Sequence, residues 1–173
     1  MLVFLFIILV IIVVLLLFII ITFFFFAIDL FLDLPYVATK RNKIETIIKL
    51  AQIKKNETVI DLGSGDGRLL FAAAAAGAYA IGYEINPFLI LLTRFKAQLF
   101  HLPSVIVKRQ NFWKADLKIA DVIFVYGRQK SMSKFEDFVY KNAKRGTRIV
   151  VNTNHFPNKK SLKSENGIYL YKV

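Results

Sequence analysis

A β-rich run that ends in closely spaced glycines and then turns helical leaves few options for the chain around it. The segment Val59-Ile60-Asp61-Leu62-Gly63-Ser64-Gly65-Asp66-Gly67-Arg68 is such a run. A strand feeding Gly-x-Gly-x-Gly and then a helix lets the backbone approach a ligand at the strand's carboxyl end, where a Cβ would occupy the ligand's space. The dinucleotide form of this turn is Gly-x-Gly-x-x-Gly. Counting from Gly63 puts Arg68 at the third glycine, and counting from Gly65 puts Leu70 there, so neither register fits. A Walker-type phosphate loop fails as well, because no Gly-Lys-Ser/Thr follows.

The rest of the chain supplies the frame for that turn. Asn42 to about Ile53 has the 3.6-residue period of an amphipathic helix, with Asn42 and Glu45 as a capping-box start. Strands are expected at Thr58–Leu62, Ala80–Glu84, Val105–Lys108, Val122–Tyr126, Arg148–Asn152 and Ile168–Lys172. Helices fall between them at Leu69–Ala76, Phe88–Phe100 and Lys134–Ala143. Strands alternating with helices predict an α/β fold: a doubly wound, mainly parallel, Rossmann-like sheet. Only one strand is evident beyond Asn152.

Ahead of this domain, Leu2 to Ile28 is apolar except for Thr22 and carries no charge. At roughly 1.5 Å per residue this stretch exceeds the roughly 30 Å hydrocarbon core of a bilayer. A secretory signal would be shorter, with a charged start and a small-residue cleavage site. Here the apolar run continues through Phe23-Phe24-Phe25-Phe26 to Asp29 and Asp33. The segment reads as a retained transmembrane helix. The expected organisation is therefore an anchor at residues 1–28, a juxtamembrane linker at 29–40 and one α/β domain at 41–173. All 24 Lys and Arg follow Pro35, and none precedes the helix, which predicts a cell-membrane protein with its C-terminal domain in the cytoplasm. The net charge of +12 suits an anionic surface, and nucleic acid is not the expected partner. With no cysteine and only two isolated histidines, thiolate chemistry is excluded and no metal site is expected.

A second element fixes the ligand class. In Gly82-Tyr83-Glu84-Ile85-Asn86-Pro87, Glu84 stands 17 residues beyond Gly67, the interval one helix and one strand consume. An acid at the end of the second strand can accept hydrogen bonds from both hydroxyls of a ribose. The pair Asp-Leu-Gly-Ser-Gly-x-Gly and Gly-Tyr-Glu-x-Asn-Pro resembles motif I and its partner in class I S-adenosylmethionine-dependent methyltransferases. The order of features over nearly the whole chain is similar to the ATP synthase c-subunit lysine N-methyltransferase family and its prokaryotic relatives. It runs through the apolar anchor, Pro35-Tyr36-Val37-x-Thr39, DLGSGDGR, GYEINP, Asn111 to Leu117, a Tyr-Gly turn at Tyr126-Gly127, and His155-Phe156-Pro157.

The resemblance implies an S-adenosyl-L-methionine site built from Asp61, Gly63, Ser64, Gly65, Asp66, Gly67 and Glu84, with Asn111 and Phe112 at the adenine. It also implies methyl transfer to a lysine of a membrane-associated protein. Two departures bear on the acceptor. The family's Phe-Gly-Val-Pro stands here as Tyr126-Gly127-Arg128-Gln129, and Asn111 replaces a common acid. The Asp/Asn-Pro-Pro-aromatic tetrapeptide of DNA and glutamine methyltransferases is missing at this strand end, which argues against those acceptors. A lysine acceptor must be neutral to react, and aromatic walls that desolvate it favour that state. Tyr36 and Tyr126 are the expected acceptor-side residues. Two other readings stay open: transfer to a lipid or quinone, and a non-catalytic membrane scaffold that binds the cofactor.

Overall fold

The computed structural model describes residues 2–31, 39 and 41–173. The chain divides into two compact units, residues 1–36 and 37–173.

The first unit contains helix α1 (Leu2–Phe31). Within it Leu2–Phe24 has a mean hydropathy of 4.0 and is long and apolar enough, by length and composition, to cross a membrane. None of that span is buried against protein. An apolar helix without a polar face has no favourable contact with water along any side.

The second unit is a seven-stranded sheet in the order β3-β2-β1-β4-β5-β7-β6. Its strands are β1 (Thr58–Leu62), β2 (Tyr79–Glu84), β3 (Val105–Arg109), β4 (Val122–Tyr126), β5 (Arg148–Asn152), β6 (Lys163–Glu165) and β7 (Ile168–Lys172). The first five pair in parallel, and β7 and β6 are antiparallel additions. Helices α2 (Arg41–Ala51), α3 (Arg68–Ala75), α4 (Pro87–Leu99) and α5 (Met132–Asn142) complete the expected doubly wound fold.

Alternation along each strand splits the core into two layers. Val59, Phe124, Val150 and Leu170 join Ile47 and Leu50 of α2 and Leu70 and Ala73 of α3 in one cluster. Ile60, Ile123 and Ile149 point the other way and are fully buried. On that side the ring of Tyr171 packs on Phe156, and Phe156 on Tyr140 of α5. The β3–β4 crossover carries only a 3-10 turn, Phe112–Lys114.

Two expectations are corrected here. Helix α2 begins at Arg41, one residue before the expected cap, so Asn42 and Glu45 form no capping box. The Asn42 carboxamide oxygen accepts from the adjacent Lys43 N–H at 2.9 Å, and Glu45 lies 3.9 Å from Arg41 on an exposed face. Two strands, not one, follow β5. The extra strand β6 is the polar tripeptide Lys-Ser-Glu, which has no hydrophobic alternation to betray it. Its hairpin turn is Asn166-Gly167, with φ of 52° and 70° at the two positions. Asn-Gly is the favoured pair for a two-residue hairpin, so the turn itself carries a sequence signal.

Arg148, at the start of β5, ties α2 to the sheet. Its guanidinium donates to the carbonyls of Ala51 (2.7 Å) and Gln52, at the end of α2, and pairs with Glu57. Both charged side chains are largely buried, 16% and 19% exposed. Arg148→Met would leave the Glu57 carboxylate and two helix-end carbonyls without this partner. We expect a loss of about 2–4 kcal/mol, read as a lowered denaturation midpoint of the full chain in detergent.

Candidate functional site

The sheet order reverses between β1 and β4, and in open α/β sheets the crevice outside the strand ends at such a point is where ligands bind. The glycine loop, Tyr126-Gly127 and Asn152 all lie along this carboxyl edge.

The loop continues the β1–β2 ladder for two residues before it turns. The amides of Gly63 and Ser64 both donate to the Tyr83 carbonyl, at 3.0 and 3.1 Å, and the Gly67 amide donates to the Ser64 carbonyl at 3.0 Å. Gly63, Gly65 and Gly67 all have positive φ (92°, 54° and 79°), which glycine adopts without steric cost. The reason for each glycine differs. A Cβ on Gly63 would meet nothing within 4 Å, so it borders open space in the crevice. A Cβ on Gly67 would lie 2.5 Å from the Thr93 side chain, so α4 is what demands that glycine. Likewise, a Cβ on Gly82 would strike Ser64 Oγ at 2.4 Å, which places the serine behind the loop against β2.

Glu84 is 8% exposed at the end of β2. One carboxylate oxygen accepts from the Gly65 amide at 2.8 Å, and the other from the amides of Ile85 and Asn86 at 2.8 and 2.9 Å. Asn86 then caps α4: its side-chain oxygen accepts from Phe88 (3.0 Å) and Leu89 (3.4 Å), with Pro87 in the first helical turn. In the sequence Asn86 stands out only as part of a motif. Asparagine directly before proline at a helix start is the sign of its capping role.

Asp66 and Arg68 form a two-point pair at 2.9 and 2.7 Å, and Arg68 also donates to the Thr39 carbonyl at 2.7 Å. The Thr39 carbonyl is thereby tied to the first residue of α3. Burial pushes Asp66 up, but the bonds and charge of Arg68 outweigh it and hold the carboxyl below the usual range. Asp61 is 6% exposed. Burial, and then the negative charges of Glu84 and Asp66, raise its pKa to about 7.

Three carboxyl groups thus converge around the glycines. Two polar atoms of the same region, Ser64 Oγ and Asn86 Nδ2, are buried without a hydrogen-bond partner among the described residues. Among those residues no group of histidines and carboxylates has the arrangement of a metal site. Positive charge placed near Asp61 would favour its ionised form, so this edge suits a ligand that carries positive charge.

The remaining predicted residues are placed less uniformly. Asn111 is exposed and caps the 3-10 turn, its side-chain oxygen accepting from the Trp113 amide at 3.0 Å. Phe112 is 8% exposed, and its ring stacks on Phe135 of α5 at 5.4 Å and touches Trp113 at 4.8 Å. Its ring is thus a member of the aromatic core. Tyr126 is half-buried at the end of β4, paired in register with Asn152. Tyr36 lies outside the described residues.

A cluster beyond β5 went unpredicted. Lys43 Nζ of α2 donates to Asn152 at 3.3 Å and to Thr153 at 2.9 Å, and Asn154 donates to the Gly127 carbonyl at 2.7 Å. Thr153 holds φ at 74°, a conformation β-branched residues rarely adopt. No residue-type pattern in the sequence marks this turn.

Residues 61–163 match the ANTKMT methyltransferase domain. The chain belongs to that family. Its sheet is the Rossmann-like methyltransferase fold, and its glycine loop and Glu84 stand in the matched region. An ATP synthase c-subunit lysine N-methyltransferase from Xenopus laevis is 30% identical over 73% of this chain and 56% of its own length. An adenine nucleotide translocase lysine N-methyltransferase from Mus musculus is 32% identical over 71% of this chain and 54% of its own. The chain thus spans little more than half the length of these curated relatives. An RNA methyltransferase from Salinibacter ruber, solved in complex with S-adenosyl-L-homocysteine, superposes with a TM-score of 0.74. It is 25% identical, and the match covers 79% of this chain and 93% of its own.

The raised Asp61 has a consequence for stability. Below pH 3.8 the folded and unfolded states both hold its proton. Between 3.8 and about 7 the unfolded chain ionises while the folded one stays protonated, so stability falls as pH rises, and it levels off above 7. The full effect has an upper bound of roughly 4 kcal/mol. Asp61→Asn should flatten this slope and raise the thermal midpoint at pH 8 relative to the parent chain, in melts recorded across pH without ligand. An unchanged slope would mean that Asp61 titrates normally.

Proposed function

We propose that this chain is a membrane-anchored, S-adenosylmethionine-dependent protein-lysine N-methyltransferase. The observation that carries the cofactor is the cradle of Asp61, Asp66 and Glu84 around a glycine loop that borders open space at Gly63. Bound S-adenosylmethionine would supply an electrophilic methyl group on a sulfonium centre. Glu84 keeps the glycine loop in shape with one set of lone pairs and turns the others to the ribose hydroxyls. A cation at the methionine end would favour the carboxylate form of Asp61, which burial and its neighbours otherwise hold protonated up to about pH 7, with Asp66 beside it. Gly63 and Gly65 are the proposed floor, with Ser64 and Gly67 shaping the loop from behind and Asn111, next to the core ring of Phe112, at the adenine.

Lysine as the acceptor rests on the relatives, several of which carry that activity in their names. A lysine acceptor would have to lose its proton to solvent before its nitrogen could take that methyl group. Tyr126, at the end of β4, is the proposed wall on the acceptor side. Tyr36 is the second residue proposed for the acceptor side. Catalysis by such a site is chiefly alignment in an in-line displacement.

The membrane half of the reading rests on Leu2–Phe24, a 23-residue apolar helix, and on the basic residues that follow it. Those residues favour the cytoplasmic face for the domain, within reach of membrane-associated proteins. The same anchor favours one rival, transfer to a lipid or quinone.

Membranes incubated with the full chain and methyl-labelled S-adenosylmethionine separate these readings. We expect label in a protein band, on lysine after hydrolysis. Label in the lipid extract or in RNA would replace the acceptor, and no label with intact cofactor binding would make the chain a scaffold. Glu84→Ala should weaken cofactor binding by about 2–3 kcal/mol, roughly 30- to 150-fold by calorimetry. Unchanged affinity would move the site elsewhere.

A further inference from the structure

Helix α4 presents two apolar faces. The inner one, Leu89, Ile90 and Thr93, is buried against the sheet. The outer one consists of Leu91, Phe95, Leu99 and Phe100, which are 67%, 61%, 57% and 62% exposed. Leu91, Phe95 and Leu99 recur at spacings of four, so they form one crest along the helix. An open apolar groove of about 540 Å³, lined in part by Ala97, Leu102, Pro103 and Val105, lies at the carboxyl end of this helix.

Along the chain the charge around the crest has one sign, although Lys96 turns back to within 4.0 Å of Asp66. From Ile85 to Ala115 the chain holds Arg94, Lys96, Lys108, Arg109 and Lys114 and no acidic residue. Arg94 and Lys96 are one residue either side of Phe95 in sequence, so they flank the crest on opposite sides of the helix. Arg109 is exposed at the end of β3 and, by alternation with the buried Val105 and Val107, lies on the side of the sheet that α4 covers. Soluble domains scatter single apolar side chains over their surfaces, but a continuous row with a basic border is the pattern of a helix lying in a lipid interface.

We propose that the outer face of α4 docks the α/β domain on an anionic lipid surface, with Leu91, Phe95 and Leu99 in the acyl boundary and Arg94 and Arg109 at the headgroups. The inference rests on the membrane reading above. That reading puts the domain next to a bilayer, and the basic border then selects the anionic headgroup. Helix α4 starts at Asn86 and Pro87, directly after Glu84, so docking along it would hold the cofactor end of the sheet beside the membrane. It would present the site to lysines just outside the hydrocarbon core.

The chain has no cysteine, which allows single-site labelling. A nitroxide at Phe95→Cys is compared with one at Lys141→Cys, an exposed position on α5 across the sheet. Each full chain is reconstituted in vesicles with one third anionic phospholipid, in purely zwitterionic vesicles and in detergent. Power saturation then gives accessibility to oxygen relative to a neutral nickel chelate. We expect that ratio at residue 95 to rise about threefold or more in anionic vesicles over zwitterionic ones, with residue 141 unmoved. Adding Leu91→Asp and Leu99→Asp should abolish the rise while S-adenosyl-L-homocysteine binding persists, which separates lost docking from lost folding. If residue 95 stays aqueous while the chain remains in the membrane fraction and binds that ligand, docking is overturned and the proposed activity stands. Spin–spin broadening at residue 95 in vesicles and detergent alike would mean that a second copy covers the face, which also overturns it. A chain that fails to enter membranes removes the membrane reading and this inference together.

Discussion

The carboxylate of Glu84 is the joint on which the carboxyl edge of the sheet is assembled. It accepts from the amide of Gly65, in the loop after β1, and from those of Ile85 and Asn86, at the turn into α4. A buried carboxylate costs several kcal/mol to desolvate unless donors surround it. Three main-chain donors meet that requirement here without any cationic side chain. They also fix the relative position of three elements, β1, β2 and α4. The adjacent Asp61 bears the cost, because its proton is retained in a region already negative.

Much of this arrangement was legible because it follows from short-range geometry. A glycine loop after a strand and an acid at the next strand's end are separated by one helix and one strand, and parallel pairing brings them together. Those two positions, Gly65 and Glu84, are joined by a hydrogen bond. The parallel strands were readable for a related reason, since fully apolar runs such as Val122–Tyr126 must be covered on both faces.

What escaped the sequence depends on partners far away along the chain. Gly67 reads as a ligand-facing glycine until Thr93, 26 residues on, is seen to occupy its Cβ position. Phe112 reads as a base-stacking ring, yet Phe135 of α5 lies against it. The Lys43–Asn152–Thr153 contacts join α2 to the end of β5 across more than a hundred residues. Strand β6 was hidden for another reason. It is an edge strand with water on one side, so nothing requires its side chains to be apolar.

The two edges of the sheet are finished in a way that bears on how such chains coexist. One edge is β6, three residues long and bearing Lys163 and Glu165. The other is β3, whose last residues are Lys108 and Arg109. Open strand edges are templates for pairing with another chain, and short length and charge are the usual deterrents. If the proposed anchor confines these domains to a plane, neighbours meet sideways far more often than in free solution, and that deterrence keeps crowding from becoming aggregation.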